Sequence, residues 1–306
     1  MALVVVRPGM LTTIQDLGRW GHQHWGVPVA GPMDWYSHRL ANEIVGNGAD
    51  AAALEITLVG PELEASKETT CVVQGARFDA TVNGAPVEVQ RPFVIPAGHR
   101  LRFGMRRCGA RATLAVAGGL DVPDEFGSRS TSLVSGIGPF GGRAVRAGDV
   151  LEVNPVHRAA FTGTVPSLNI PSGGARVRAM RGPHDAMFTP GALELLFSAR
   201  FSVTPQSNRM GYRLEGPLLL HAGSGDILSD ATPIGSLQVP ASGQLVLLMA
   251  DRQTTGGYPR IATVITADLP LAGQLAPGDW IEFEECTRTE AVTASREQEA
   301  RLRLLA

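Results

Sequence analysis

A chain of 306 residues with 44% hydrophobic and 18% charged content has material for two domains of ordinary size. A net charge of -2 excludes nucleic-acid binding by bulk electrostatics, and no apolar run reaches the length of a membrane span. The 36 glycines and 21 prolines favour β structure with many turns over helical bundles. The 3 cysteines, Cys71, Cys108 and Cys286, are too scattered for a disulfide framework or a metal-ligand spacing, so no metal site is expected. The start, Met-Ala-Leu-Val-Val-Val-Arg, lacks a charged segment leading into a full apolar stretch, and a cytoplasmic protein is expected, with neither nucleic acid nor membrane as partner.

In chain order, the first unusual segment is the loop Gln15 to Asp34. It holds Gln15, Asp16, Arg19, His22, His24 and Asp34 among glycines and two prolines, too broken for a helix or a strand. Asp34 then suits an N-cap for a helix through Leu40, Ile44 and Val45, ended by Gly46. Lys67 is the sole lysine, and no glycine-rich loop precedes it, so neither a P-loop nor a biotin attachment site is expected. Residues 87–105 alternate as strands, with Val87, Val89, Leu101, Phe103 and Met105 facing one way around Pro96-Ala-Gly98. Thr113–Ala117 reads as a buried strand, with Cys71 and Cys108 as small buried hydrophobes.

A linker is expected between Gly163 and Gly174, around Pro166, Pro171 and Ser172-Gly-Gly, which divides the chain into residues 1–168 and 169–306. Beyond it, Thr189-Pro190 resembles an N-cap with proline in the first turn, leading into Leu193, Leu196 and Phe197. Leu245–Met249 and Ile261–Thr266 read as buried strands. The tail reads as a helix from Ser295, with a capping-box pattern to Gln298.

Three echoes recur in the same order in both halves. Gln15-Asp-Leu-Gly-Arg19 answers Gln206-Ser-Asn-Arg209, Val59-Gly-Pro61 answers Glu215-Gly-Pro217, and Gly148-Asp-Val-Leu-Glu-Val153 answers Gly278-Asp-Trp-Ile-Glu-Phe283. Together they indicate a duplicated β fold of two similar barrels, the first carrying the Asp34 helix as an insertion.

Four clusters carry the polar chemistry. They are the opening loop, Ala117-Gly-Gly-Leu-Asp-Val-Pro-Asp-Glu-Phe-Gly-Ser128-Arg129-Ser130-Thr131, Ser207-Asn208-Arg209-Met-Gly-Tyr212-Arg213, and the stretch from Gln238-Val-Pro240 to Asp251-Arg252-Gln253-Thr254-Thr-Gly-Gly-Tyr258. An arginine fork beside hydroxyls suits a carboxylate, carbonyl or phosphate; it also suits a plain solvated turn. The last cluster follows an apolar strand, a usual place for chemistry, although a buried loop tying two strands has the same composition. His22-Gln-His24 has metal-ligand residue types at strand spacing, but no acidic or cysteine partner at a recognisable spacing, and a structural role is expected.

These clusters resemble the allophanate-hydrolase-subunit-2, or KipA-like, biotin-dependent carboxyltransferase family. The resemblance runs from Pro8-Gly through Leu40-Ala-Asn-Glu-Ile-Val-Gly-Asn47, Ala53-Leu-Glu-Ile-Thr57, Arg181-Gly-Pro-His184 and Ile234-Gly-Ser-Leu-Gln-Val-Pro240 to Gln274-Leu-Ala-Pro-Gly-Asp279. It implies a mainly β fold: two cyclophilin-like β-barrel domains with a few short helices. It also implies a KipI-like partner. Stand-alone members resemble the C component of bacterial ATP-dependent 5-oxoprolinase, which works with a KipI-like B component and a LamB/YcsF-like A component. The implied substrate is 5-oxoproline, with ATP as co-substrate of the complex and no covalent biotin on this chain.

Against that background Asp251 and Asp34 are the expected bases or orienters, and Arg252 and Arg129 the anion anchors. Gln15, Ser130, Asn208, Arg209, Gln238, Gln253, Thr254 and Tyr258 are the expected substrate-binding residues. A KipA-like regulator of a KipI-like kinase inhibitor, and a urea carboxylase or allophanate-hydrolase component, are the alternatives.

Overall fold

The computed structural model describes residues 1–161, 163 and 169–303. The chain divides into two compact units. The first comprises the described residues of Met1–Trp20, Ala30–Ile170 and Arg301–Ala306; the second comprises Gly21–Val29 and Pro171–Ala300. The expected division at 168/169 and its Pro166 fall among residues 164–168, outside the described residues.

The first unit holds β1 (Ala2–Arg7), β2 (Leu11–Gln15), α1 (Trp35–Ile44), β3 (Ala53–Thr57), β4 (Glu62–Ala65), β5 (Thr69–Val82), β6 (Ala85–Pro86), β7 (Phe93–Ile95), β8 (Arg100–Val116), the single turn α2 (Pro139–Gly142) and β9 (Val150–Glu152). Its 9-stranded sheet runs β2-β3-β8-β4-β1-β9, and β5 joins through β8 with β6 and β7 on its far side. This sheet curls without closing, where a full barrel was expected. Leu54, Ile56, Leu63, Val73, Leu101 and Leu114 fill the core on one face. α1 packs Leu40, Ala41 and Ile44 against Ala53, Val72 and Ala115 from the other face.

Asp34 caps α1 as expected: Oδ1 accepts from the Ser37 amide at 2.8 Å and Oδ2 from the Ser37 hydroxyl at 2.6 Å. The alternation expected over 87–105 holds only in part. Residues 87–89 are irregular, although Val89 is buried and its carbonyl accepts from the Val73 amide at 2.7 Å. Leu101 and Phe103 face the core, but Met105 is exposed. The cause is a bulge: Phe78 pairs with Arg106 and Ala80 with Phe103, so two residues of β8 oppose Asp79 and the phase slips. Cys71 is buried as expected; Cys108 is only half-buried.

His38, on the inner face of α1, is wholly buried, and its Nε2 lies 3.2 Å from the Asn42 amide nitrogen. Burial, partly offset by the Asp16 charge, pushes its pKa down to about 4. A histidine with a depressed folded pKa contributes stability above its unfolded value, and loses it as the pH falls through that value toward the folded one. We therefore expect the chain to lose about 3 kcal/mol of stability from this residue between pH 6.5 and 4. Urea melts across that range should show a shallower decline in His38→Gln; parallel profiles would contradict the assignment.

The second unit holds β10 (Gly174–Arg181), α3 (Pro190–Ser198), β11 (Arg200–Val203), β12 (Gly211–Glu215), β13 (Asp230–Ala231), β14 (Ser236–Gln238), β15 (Leu245–Leu248), β16 (Thr255–Gly256), β17 (Arg260–Val264), α4 (Leu269–Gly273), β18 (Trp280–Glu285) and α5 (Arg288–Arg303). Seven strands close into a barrel in the order β10-β17-β14-β15-β12-β11-β18, while β13 and β16 form a separate ribbon. Val177, Phe201, Tyr212, Leu237, Leu247 and Phe283 are buried. Thr189 caps α3 through the Ala192 amide at 3.2 Å, as expected. The tail helix begins earlier than expected. Its capping box is Thr287 with Glu290, joined by Glu290 Oε2 accepting from the Thr287 amide at 2.7 Å. Ser295 and Gln298 lie inside the helix, and Ser295 donates back to the Ala291 carbonyl at 3.1 Å.

Two of the three sequence echoes have equivalent local structures. Gly148 and Gly278 both take positive φ, 89° and 92°. Asp149 accepts from the Arg146 amide at 2.7 Å, and Asp279 from the Ala276 amide at 2.9 Å, so each opens its strand with the same turn. Gly60 and Gly216 each abut a phenylalanine ring, Phe103 and Phe201, where a Cβ has no room. Among the described residues no helix is long and apolar enough to cross a membrane.

Candidate functional site

In the first unit the polar centre is Asp16. Its Oδ1 accepts from Ser128 Oγ and Ser130 Oγ, each at 2.6 Å, and from the Gly18 amide at 2.9 Å. Its Oδ2 accepts from the Arg129 amide at 2.5 Å. Burial alone would raise its pKa, but these donors outweigh burial and hold the carboxyl below its ordinary value. Arg19, fully buried, donates to the carbonyls of Ser130 and Glu125. The opening loop is thereby clamped to the Gly127–Thr131 loop.

Gln15 joins the same clamp, with Nε2 donating to Thr131 O at 3.1 Å and Thr13 Oγ1 at 3.0 Å. Its Oε1 is buried and unpartnered among the described residues. Ser130 is buried within the clamp, whereas Arg129 is half-exposed, with Nε on the Val122 carbonyl at 3.1 Å. Asp34 caps α1 through both of its oxygens. Sequence reasoning missed a row of buried polar residues. Strand register aligns Thr13, Glu55, Thr113 and Gln74 across four neighbouring strands, and Glu55 accepts from the Met33 amide at 2.6 Å. Only the pairing of β2, β3, β8 and β5 reveals it.

In the second unit, Asp251 and Arg209 form a buried bidentate pair, Nε to Oδ2 at 2.9 Å and Nη2 to Oδ1 at 3.0 Å, with side-chain exposures of 1% and 4%. The Asp251 amide also donates to the Arg209 carbonyl at 2.8 Å. Arg252 is buried beside this pair and donates from Nε to the Thr232 carbonyl at 2.7 Å. Burial, only partly offset by Asp251, lowers its pKa to about 10.

Thr232 is shared: its hydroxyl donates to the Gln253 carbonyl and its amide to the Thr254 carbonyl. Gln238 and Gln253 converge on Gly256. A Cβ there would lie 3.0 Å from Gln238 Nε2, 3.2 Å from Gln253 Nε2 and 3.2 Å from Thr232 Cγ2. Gln238 Nε2 reaches the Tyr258 carbonyl at 3.5 Å, and the Tyr258 side chain is exposed. Arg260 donates to the Ala231 carbonyl at 2.6 Å and pairs with Asp230, and its amide donates to His184 Nδ1 at 3.2 Å. Burial and then the Arg260 charge lower the His184 pKa, which keeps the ring neutral. Asn208 is exposed and closes its own turn, accepting from the Met210 amide at 2.8 Å.

The structure thus gathers Arg209, Gln238, Asp251, Arg252, Gln253 and Thr254 in one cluster, and Gln15, Arg129 and Ser130 in another. His184, Thr232, Gly256 and Arg260 were not among the expected catalytic or substrate-binding residues. Among the described residues no three His, Cys, Asp or Glu side chains converge as a metal site.

The model of the carboxyltransferase domain, subdomain A and B, matches residues 25–285. The chain is 38% identical to the C component of Escherichia coli 5-oxoprolinase over 97% of its own length and 95% of that protein. It is 34% identical to the Lachancea kluyveri urea amidolyase over 99% of its own length, but spans only 18% of that protein. The crystal structure of the Kluyveromyces lactis urea amidolyase superposes with a TM-score of 0.93 at 32% identity, covering 100% of this chain and 20% of that one. The chain belongs to the carboxyltransferase domain, subdomain A and B, family.

Proposed function

We propose that the chain is the C component of an ATP-dependent 5-oxoprolinase complex that hydrolyses 5-oxo-L-proline to L-glutamate. The observation that carries this reading is its likeness to the C component of the E. coli 5-oxoprolinase over nearly the full length of both chains. The partners are a KipI-like B component and a LamB/YcsF-like A component, with ATP as co-substrate of the complex.

Opening an unstrained lactam is uphill without activation. Transfer of the γ-phosphoryl group of ATP to the lactam oxygen makes the ring carbon electrophilic. Water then adds there, the ring C–N bond breaks with the nitrogen taking a proton, and a second water cleaves the resulting γ-glutamyl phosphate, releasing phosphate. The balance is glutamate, ADP and phosphate.

The second-unit cluster supplies the means to hold such a substrate. Gln238 and Gln253 offer carboxamides that complement a lactam N–H and C=O. Arg252 brings a fixed positive charge into a buried site. Asp251, fully engaged by Arg209, orients and does not act as the base. Arg252→Gln is expected to lower kcat/KM of the assembled complex by about 100-fold, with assembly intact. Unchanged turnover would remove Arg252 from the site. Relatives named urea amidolyase support a urea-directed reading of the same cluster.

A further inference from the structure

We infer that an apolar groove beside the tail helix is a docking site for an extended acidic segment of a partner protein, one that sets an apolar side chain between two carboxylates. The groove shares no lining residue with the Arg252 cluster, and its occupant does not depend on the oxoprolinase reading.

The groove follows from the composition of α5. Ala291 and Ala294 of this helix pack with Ile265 and Ala267 in a small core of their own. Such short side chains bring the helix onto the barrel without filling the space alongside. About 560 Å³ is left open there, floored by Met180, Ile234, Val264 and Ile265. Val292 lines it from the helix and is 41% exposed, so the groove presents apolar surface to water.

Two arginines give the groove its charge. Arg288 and Arg296 line it from α5, eight residues apart, which is about 12 Å along the helix axis. Val292 stands midway between them in the sequence. Among the described residues neither guanidinium has an ion pair or a hydrogen bond. Arg176, Arg178 and Arg181 on β10, by contrast, are each matched to a carboxylate. Glu299 also lines the groove, beyond Arg296, so the lining charges are two positive and one negative.

A carboxylate at each arginine, with an apolar group over Val292 between them, complements this row. An extended chain projects alternate side chains to one face, and residues four apart stand about 13 Å from each other, close to the arginine spacing. The matching pattern is acidic-x-apolar-x-acidic. A fatty acid brings a single carboxylate and leaves the second arginine unanswered.

The test uses the full chain and rhodamine-labelled peptides with neutral ends, followed by fluorescence anisotropy. The first probe is Glu-Thr-Leu-Thr-Glu; the second replaces both Glu by Gln, and the third replaces Leu by Ser. We expect the first to bind with Kd below about 1 mM and at least about fivefold more tightly than either of the others. High salt should remove its advantage over the Gln peptide. Arg288→Gln and Arg296→Gln should each weaken it about fivefold, and Val292→Ser by a similar factor. Arg301→Gln, on the same helix but outside the groove, should change nothing. All four positions are exposed, so the variants should fold and melt as the wild type does.

Equal weakening by Arg301→Gln would mean general charge attraction and would overturn the site. Decanoate that displaces the peptide and binds more tightly would put a fatty acid in its place and overturn the docking role. No saturable binding of the Glu peptide, or binding indifferent to all three groove variants, would overturn the inference and leave the oxoprolinase reading standing.

Discussion

Asp16→Ala is expected to destabilise the chain by about 3–5 kcal/mol and to abolish the order of the Gly127–Thr131 loop. The hydroxyls of Ser128 and Ser130 and the amides of Gly18 and Arg129 would all lose one shared acceptor in a buried place. Each such orphaned donor costs about 1–3 kcal/mol, less what local relaxation recovers. Asp16→Asn keeps one oxygen acceptor and should cost about half as much. The pH dependence has a definite sign. The folded carboxyl is held below the ordinary value of 3.8, so its contribution is complete above that value and is lost as the pH falls beneath it. The gap between wild type and Asp16→Asn should therefore close in strong acid. Guanidinium melts at neutral pH that differ by less than about 1 kcal/mol would refute the clamp.

Asp251→Ala is expected to cost about 3–5 kcal/mol, because it leaves the guanidinium of Arg209 buried without its counterion. Arg209→Met should cost a similar amount by stranding the carboxylate. The double variant Arg209→Met with Asp251→Asn removes both charges, so it should fall well short of the sum. The expected signature in denaturant melts is a coupling energy of about 2 kcal/mol or more. Strict additivity within the Arg209–Asp251 pair would contradict the buried ion pair.

Much of the local structure was legible because short-range chemistry dictates it. Asp34 and Thr189 each offer an oxygen to an amide three residues on, and the structure shows both caps. Gly148-Asp and Gly278-Asp mark equivalent turns, since positive φ and an aspartate accepting from the amide three residues back are encoded within four residues. The closed second barrel matches the duplicated β fold, whereas the first sheet stays open. Ser295 and Gln298 matched the spacing of a capping box, but Thr287 and Glu290 lie nearer the preceding strand and start the helix first.

The site was legible as composition and hidden as geometry. Arg209, Asp251 and Arg252 were all singled out, but which arginine Asp251 neutralises depends on a contact across 42 residues. Asp16 and Ser130 meet across 114 residues, and the row from Thr13 through Glu55 to Gln74 exists only through strand register. The bulge that turns Met105 outward likewise depends on the partner strand.

The most direct test of the account is ATP-dependent glutamate formation from 5-oxoproline. It would be measured with this chain purified together with its KipI-like and LamB/YcsF-like partners, leaving out one component at a time. The account predicts turnover by the full set, and its loss when this chain is omitted or carries Arg252→Gln. Undiminished turnover without this chain, or none from a stably assembled full set, would contradict it.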